Sequence, residues 1–506
     1  MFPKKIISNF DSATLKSITI IFSTIVIFYL WDFGARYLLN GSIDKPWWVS
    51  IIDTRFLTLI PLLFFLKKNL LIKKGFFPIL IIGLYLIFQY IFNFLVFDRI
   101  FTATDLKYFL AFSLTVLMIF YCKEIILLNK KKISLFLIYL SPIFFLNFDI
   151  HIWPEQDLIW QCSIFRNNSS IFKIFFLESS HFAMVAIPVF LLNLFYLCKK
   201  FNLINFLLLI IFSSVMLVFF STTMAVGTIL SITIILITNF RNINIKFFLS
   251  CIIVLVAYVL IFINIYGCSR KISDLFYHSY ILSMEKIYIE SLKTTTQDKV
   301  LTTTQDKVLT TTQDKVSNAI KVQVAKSIVF LFEKIRKEKK IEVKKALLLK
   351  KSGLSEKIVE LDASKRERVF QKINVSTQVV QNSFEIALNT LYSKPFGVGL
   401  NRFEDAFRDQ IKSQQKNYSQ EVMKINLNDG AANLNKLIGE FGVGSFIIFA
   451  YFIFFIFSKK ISIENKLFLF PIVLTQTIRG AGYFNGGYLA AVILIILIVH
   501  DSRQKS

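Results

Sequence analysis

The sequence predicts an all-α polytopic membrane protein, with about twelve transmembrane helices and a large helical loop between spans nine and ten. Three observations predict it. Of 506 residues, 55% are apolar, 56 are Phe and only 18% are charged, against about 25% charged in soluble domains. The apolar residues gather in runs of roughly the 20 needed to cross a bilayer. The basic residues lie in short clusters between those runs, on alternate connections. This composition excludes an ordinary cytosolic enzyme and a disordered chain. The net charge of +25 is distributed as loop clusters and predicts no nucleic-acid partner. Five Cys, an odd number, exclude a disulfide scaffold.

The expected spans are 17–38, 48–66, 76–97, 105–122, 133–149, 174–197, 203–220, 223–240, 246–266, 432–457, 464–480 and 482–500. The first is read as a retained span. No small-residue cleavage site follows Leu30, and the chain continues Trp31-Asp32-Phe33-Gly34. Alternate loops carry Lys4 and Lys5; Lys67, Lys68, Lys73 and Lys74; Lys123 and Lys130 to Lys132; Lys199 and Lys200; Arg241 and Lys246; Lys459, Lys460 and Lys466. The other side carries only Arg36, Lys45, Arg99, Lys107, Arg166, Lys173 and Arg479. Both termini are thereby expected in the cytoplasm.

Residues 1–266 hold nine expected spans, 267–431 the large outer loop, and 432–506 the last three spans and a cytoplasmic tail. About half of the charged residues fall in the loop, which does not disturb the orientation, because long loops translocate largely regardless of charge. Helix is expected over 317–351, which contains no Pro or Gly, and over 364–391, with a stop at Ser352-Gly353. The Lys run from Lys334 to Lys351 reads as a solvated surface. Thr-Thr-Thr-Gln-Asp-Lys-Val occurs three times, at 294–300, 302–308 and 310–316. An eight-residue period overshoots two helical turns by about 80° and builds no apolar stripe. It reads as a tandem duplication without chemistry.

Ionisable groups at span ends are functional candidates. Glu178-Ser179-Ser180-His181 opens the sixth span, and the i, i+3 spacing puts Glu178 and His181 on one face, as a general base with an orienting partner or as a pair that only fixes a helix end. Lys394-Pro395-Phe396-Gly397-Val398-Gly399-Leu400-Asn401-Arg402-Phe403 reads either as a plain turn or as an anion site. In the second reading Gly397 and Gly399 bring N–H groups to a phosphate, and Arg402 and Arg408 give bidentate bonds. Asn428-Asp429-Gly430 precedes the tenth span, in which Glu440 lies; Asp429 reads as an N-cap or a base. Arg479-Gly480-Ala481-Gly482-Tyr483-Phe484-Asn485-Gly486-Gly487 forms a short outer turn, where Arg479 pairs with an anion or snorkels to the headgroups. Cys162 and Cys268 both fall on the outer side, where a disulfide persists. His151, His278 and His500 show no metal-ligand spacing, so no metal is expected.

The layout, with Glu-Ser-Ser-His-Phe on span six, resembles the O-antigen polymerase and ligase superfamily, whose architecture is C-type glycosyltransferase-like. Lys-Pro-Phe-Gly-Val-Gly-Leu-Asn-Arg-Phe is similar to that family's Pro-x-x-Gly-x-Gly-x-x-x-Phe element, and Leu-Ile-Gly-Glu-Phe-Gly-Val-Gly at 437–444 to the element that ends the outer loop. Two ligase hallmarks are missing. Ala431 and Ala432 stand where ligases carry His-Asn, and Ser221-Thr222-Thr223 where they carry Ser-Arg. The resemblance therefore favours the polymerase branch.

It implies transfer of an undecaprenyl-diphosphate-linked oligosaccharide onto a sugar hydroxyl of a second lipid-linked repeat unit, at the periplasmic face of a bacterial inner membrane. Arg402 and Arg479 would clamp the diphosphate. Glu178, aided by His181, would take the acceptor proton, with Asp429 in reserve. Gly397, Gly399, Asn401, Arg408 and Tyr483 would complete the substrate site. No metal or other cofactor is implied, and a chain-length regulator is an expected partner. No nucleotide sugar is available outside the cytoplasm, so no nucleotide-binding domain is needed. A ligase is the nearest alternative. A flippase is the other, and it commonly shows internal repeats, of which this sequence has none that match in its two halves.

Overall fold

The computed structural model describes residues 18–22, 24, 25, 77–145, 150–152, 165–167, 176, 178–265, 268, 375–414, 418, 420–425, 427, 430–480, 482, 483 and 487–504. The first two expected spans lie largely outside these residues. The expected helix over 317–351, the tandem repeats, Asp429 and Cys162 lie wholly outside them.

The described chain is helical apart from one short antiparallel pairing of β1 (Ile150–Ile152) with β2 (Phe165–Asn167), in which His151 opposes Arg166. The helices are α1 (Phe77–Phe97), α2 (Ala103–Leu140), α3 (Ser179–Lys199), α4 (Leu203–Val218), α5 (Thr222–Asn239), α6 (Ile245–Asn264), α7 (Val375–Ser393), α8 (Phe403–Gln414), α9 (Gln420–Lys424), α10 (Asn433–Phe441), α11 (Gly444–Phe457), α12 (Ile463–Ile478) and α13 (Tyr488–Gln504). Among the described residues, five helical stretches are long and apolar enough to cross a membrane: Leu80–Phe97, Asp105–Phe144, Ser179–Lys199, Thr222–Asn242 and Ile245–Asn264. Leu203–Val218 and Gly444–Phe457 are apolar but shorter. The chain is thus a helical membrane protein, with fewer full-length spans on view than the twelve expected.

Local signals start most of these helices. Asn202, Ser221, Asn244 and Ser462 cap α4, α5, α6 and α12 through their side chains. Thr102 and Asp105 form a reciprocal capping box at the start of α2.

The fourth and fifth expected spans fall in one continuous helical stretch, α2, of 38 residues. Its partners show that it turns back on itself. Phe112 and Val116 line a small cavity with Tyr488 and Val492, and Lys123 donates to Asp501, so the first limb runs parallel to α13. Further on, Ser134 receives a hydrogen bond from Asn193 (3.1 Å) and the Phe144 ring meets Phe182, 6.1 Å between centroids. That second limb is antiparallel to α3. The reversal falls at Lys123 to Lys132, the cluster that the sequence places in a loop.

At the centre α3 packs antiparallel to α12. Lys199 reaches Glu464 at one end (2.7 Å). Near the other, Gly227 of α5 is wedged between Thr475 and Ile187, where a Cβ would lie 2.4 Å and 2.8 Å from their side chains. Such close backbone approach is what small residues permit in membrane bundles. Lys123, Lys130, Lys199, Glu464 and Asp501 therefore share one end of the bundle, the lysine end. Glu178, Asp105, Arg479 and Cys268 lie at the opposite end.

A second, smaller core sits beyond that opposite end. Val379 and Ile386 of α7, Phe403 and Phe407 of α8, Tyr418 and Val422 form it. The expected tenth span, 432–457, is broken at Gly442 (φ +53°) into α10 and α11.

Candidate functional site

Two glycine-bearing segments interlock, and α1 holds them. Val398 N–H donates to Gly439 O (3.0 Å), Gly399 N–H to Glu440 O (3.1 Å) and Val443 N–H to Pro395 O (2.8 Å). A Cβ on Gly397 (φ +79°) would fall 2.3 Å from Glu440 O, and one on Gly442 would fall 2.0 Å from Pro395 O. The backbones touch only because both residues lack side chains. Tyr85, Gln89 and Asn93 recur every four residues along one stripe of α1. Tyr85 Oη donates to Phe396 O (3.2 Å) and Phe441 O, Gln89 Nε2 to Phe396 O (2.5 Å) and Glu440 O, and Asn93 Nδ2 to Gly397 O (3.2 Å). Non-helical backbone beside a membrane helix needs such internal partners. The N–H groups of Gly397 and Gly399 that an anion would need are spent on Lys394 O and Glu440 O.

Glu440 fastens the next stretch. Its carboxylate is fully buried and accepts from Asn401 N–H (2.7 Å) and Phe403 N–H (3.0 Å). Lys436, equally buried, lies 3.6 Å from the carboxylate and donates to Asn401 Oδ1 (2.7 Å). Its ammonium also stands 5.3 Å from the centre of the Tyr483 ring. Asn401 (φ +57°) adopts the left-handed conformation that Asn tolerates better than most residues.

Arg402, held between Asn401 and Phe403, projects to the start of α2. Its Nε donates to Asp105 Oδ1 (2.6 Å), Nη2 to Asp105 Oδ2 and Thr102 Oγ1 (2.9 Å), and Nη1 to Asp405 Oδ2 (3.1 Å). Asp405 also pairs with Arg99, whose Nη1 donates to Val398 O (2.5 Å). Burial, and then the like charge of Arg402, hold Arg99 below the usual arginine range. Both arginines line a groove of about 450 Å³ with Ile91, Phe94, Leu95 and Phe101.

Arg479 closes α12. Its Nη1 donates to Ala431 O (3.3 Å), its one side-chain hydrogen bond among the described residues. The following turn docks on α10: Gly482 N–H donates to Asn433 Oδ1 (3.1 Å), and a Cβ on Gly480 would lie 2.6 Å from Asn433 Cγ. That docking carries Tyr483 to Lys436. Glu178 is exposed at the start of α3 and accepts from Ser180 Oγ (2.9 Å). His181 is one turn on and half-buried. Arg408 is solvent-facing and paired with Glu404 within α8.

The structure thus joins Gly397, Gly399, Asn401, Arg402, Tyr483 and Arg479 through α10. Glu178 lies at the same end of the bundle, but no contact among the described residues ties it to Arg402 or Arg479. Arg408 stands apart, and Asp429 is outside the described residues. Sequence reasoning missed Arg99, Asp105, Lys436 and the Tyr85–Gln89–Asn93 stripe. The stripe had a signal, polar groups at helical spacing inside an apolar run. Arg99 and Asp105 are paired across some 300 positions and had none, whereas Lys436 had the i, i+4 spacing to Glu440. Among the described residues no group of His, Cys, Asp and Glu is placed to hold a metal.

Compared with protein-family models, curated proteins and solved structures, the chain matches none of them.

Proposed function

We propose that the chain is a surface-polysaccharide polymerase. It moves an oligosaccharide from undecaprenyl diphosphate to a sugar hydroxyl of a second lipid-linked repeat unit, at the periplasmic face of a bacterial inner membrane. One observation carries the reading: the antiparallel packing of α3 on α12 sets Glu178, the N-cap of one, and Arg479, the C-cap of the other, at the same end of the bundle. There Arg479 keeps most of its donors uncommitted among the described residues.

Arg479 offsets the charge that develops on the diphosphate leaving group. The acceptor oxygen attacks the anomeric carbon, the bond from that carbon to the diphosphate oxygen breaks, and Glu178 takes the hydroxyl proton with His181 beside it. Sidedness has independent support. Cys122, Cys198 and Cys251 are thiols and belong to the lysine end, whereas Cys268, at the other end, is disulfide-bonded. That division matches a reducing cytoplasm and an oxidising exterior.

Surface polysaccharide from a strain lacking the chain gives the first test. A single repeat unit on the lipid core supports a polymerase; full-length polymer on carrier lipid indicates a ligase, and no exported repeat a flippase. Glu178→Gln and Arg479→Ala should each abolish long chains at unchanged protein level. Normal chain length in both removes these roles.

A further inference from the structure

The groove beside Arg99 combines two chemistries. Its walls, the last turns of α1 and the connection to α2, are apolar and open to the surroundings; Leu95 is 70% and Ile100 74% exposed. At a span end such residues face lipid. On the same groove stand two guanidiniums, Arg99 and Arg402. Apolar walls and paired guanidiniums fit a molecule with an anionic head and a hydrocarbon tail.

Two carboxylates now neutralise the two guanidiniums, and they are not equivalent. Asp105 is buried, gripped by the Thr102 capping box and by a two-pronged bond from Arg402. Asp405 sits on the first turn of α8 with its side chain 29% exposed, and one of its oxygens bridges Arg99 and Arg402. A single oxygen held between two guanidiniums occupies the position that an anionic ligand would take. Displacing the exposed carboxylate costs less desolvation of what remains than displacing the buried one.

We infer that this groove binds the diphosphate end of a polyprenyl lipid and that Asp405 is its internal competitor. Arrival of the lipid headgroup moves Asp405 off Arg99 and Arg402, while Asp105 keeps Arg402 in place. The identity of the lipid rests on the function proposed above. The competition rests on the groove alone.

The test is direct binding to the purified full chain in detergent, with farnesyl diphosphate as the probe and farnesol and inorganic diphosphate as controls. Farnesyl diphosphate should bind at least about 10-fold more tightly than either control, each of which lacks one of the two chemistries. Asp405→Asn should tighten it about 5-fold or more, and Arg99→Gln should weaken it about 10-fold. Unchanged or weaker binding by Asp405→Asn overturns the inference, and so does inorganic diphosphate binding as tightly as the lipid probe. If Arg99→Gln fails to fold, Asp405→Asn decides alone. The binding result is independent of polymerisation. A groove that behaves as described in a strain whose polymer is normal without the chain sinks the proposed function and leaves this inference standing.

Discussion

Replacing Glu440 by Gln removes the fastening between the outer segment and the bundle at its tightest point. Its two oxygens accept the N–H groups of Asn401 and Phe403 at 2.7 Å and 3.0 Å, with the Lys436 ammonium 3.6 Å away. A glutamine offers one acceptor and one donor. One backbone N–H would then face another donor in a buried site, at a cost of about 1–3 kcal/mol. Lys436 would lose the carboxylate 3.6 Å from its ammonium while keeping its contacts with Asn401 Oδ1 and the Tyr483 ring, and stripping one partner from a buried ion pair costs about 3–5 kcal/mol. The two losses share a site and do not add, so the expected destabilisation is about 3–5 kcal/mol in total.

Chemical unfolding of the purified chain in mild detergent checks it with three variants: Glu440→Gln, Lys436→Met, and both together. The double variant removes both charges of this pair and should recover about 2 kcal/mol of the Glu440→Gln loss. A Glu440→Gln protein within about 0.5 kcal/mol of the parent would refute the argument. So would a double variant no more stable than Glu440→Gln alone, since the loss would then owe nothing to a stranded Lys436.

Three further outcomes follow from the same geometry. Gly397→Ala must force a Cβ to within 2.3 Å of Glu440 O at φ +79°; folded yield should collapse, and full yield by size-exclusion chromatography would contradict the interlock. Burial raises the Glu385 carboxyl above the usual glutamate range, only partly countered by the hydrogen bond from Tyr418 Oη (2.9 Å). A raised carboxyl stabilises the fold at low pH, and that stability is lost as pH rises through its folded value. Glu385→Gln should therefore match the parent near pH 4 and melt above it at alkaline pH; a constant difference at every pH would argue against this origin. Alkaline phosphatase fused after Cys268 should be active and fused after Lys200 inactive, whereas the reverse pattern would invert the bundle.

Much of the bundle was legible because burial leaves local marks. Apolar runs, lysine clusters and capping residues such as Ser462 depend on neighbours a few positions away, and the sequence displays those neighbours. Even the misreading at α2 was one of secondary structure rather than direction: Lys123 and Lys130 to Lys132 mark a reversal, whether or not the helix breaks there. The glycine segments were half legible. A left-handed residue at Gly397 follows from its chemistry, but the partner that requires it, Gly442, lies 45 positions away and leaves no trace beside it. Hence Gly397 and Gly399 read as a plain turn or as a cradle for an outside anion, while their N–H groups are consumed by Lys394 and Glu440 carbonyls.

The same limit explains Arg402. In the outer loop Arg402 reads as a plain turn residue or as a bidentate donor to an outside diphosphate; its anion is instead Asp105, 297 residues away in the same chain. Charge at a membrane boundary thus carries two meanings that sequence cannot separate, a fastening already closed or a site still open. What separates them is the count of donors in use. Arg402 directs Nε and both Nη atoms to Asp105, Thr102 and Asp405, whereas Arg479 directs one nitrogen to one carbonyl among the described residues. By that criterion Arg479 is the better candidate for the diphosphate contact of the proposed function. Arg402 is the candidate only under the inferred displacement of Asp405, which now holds its Nη1.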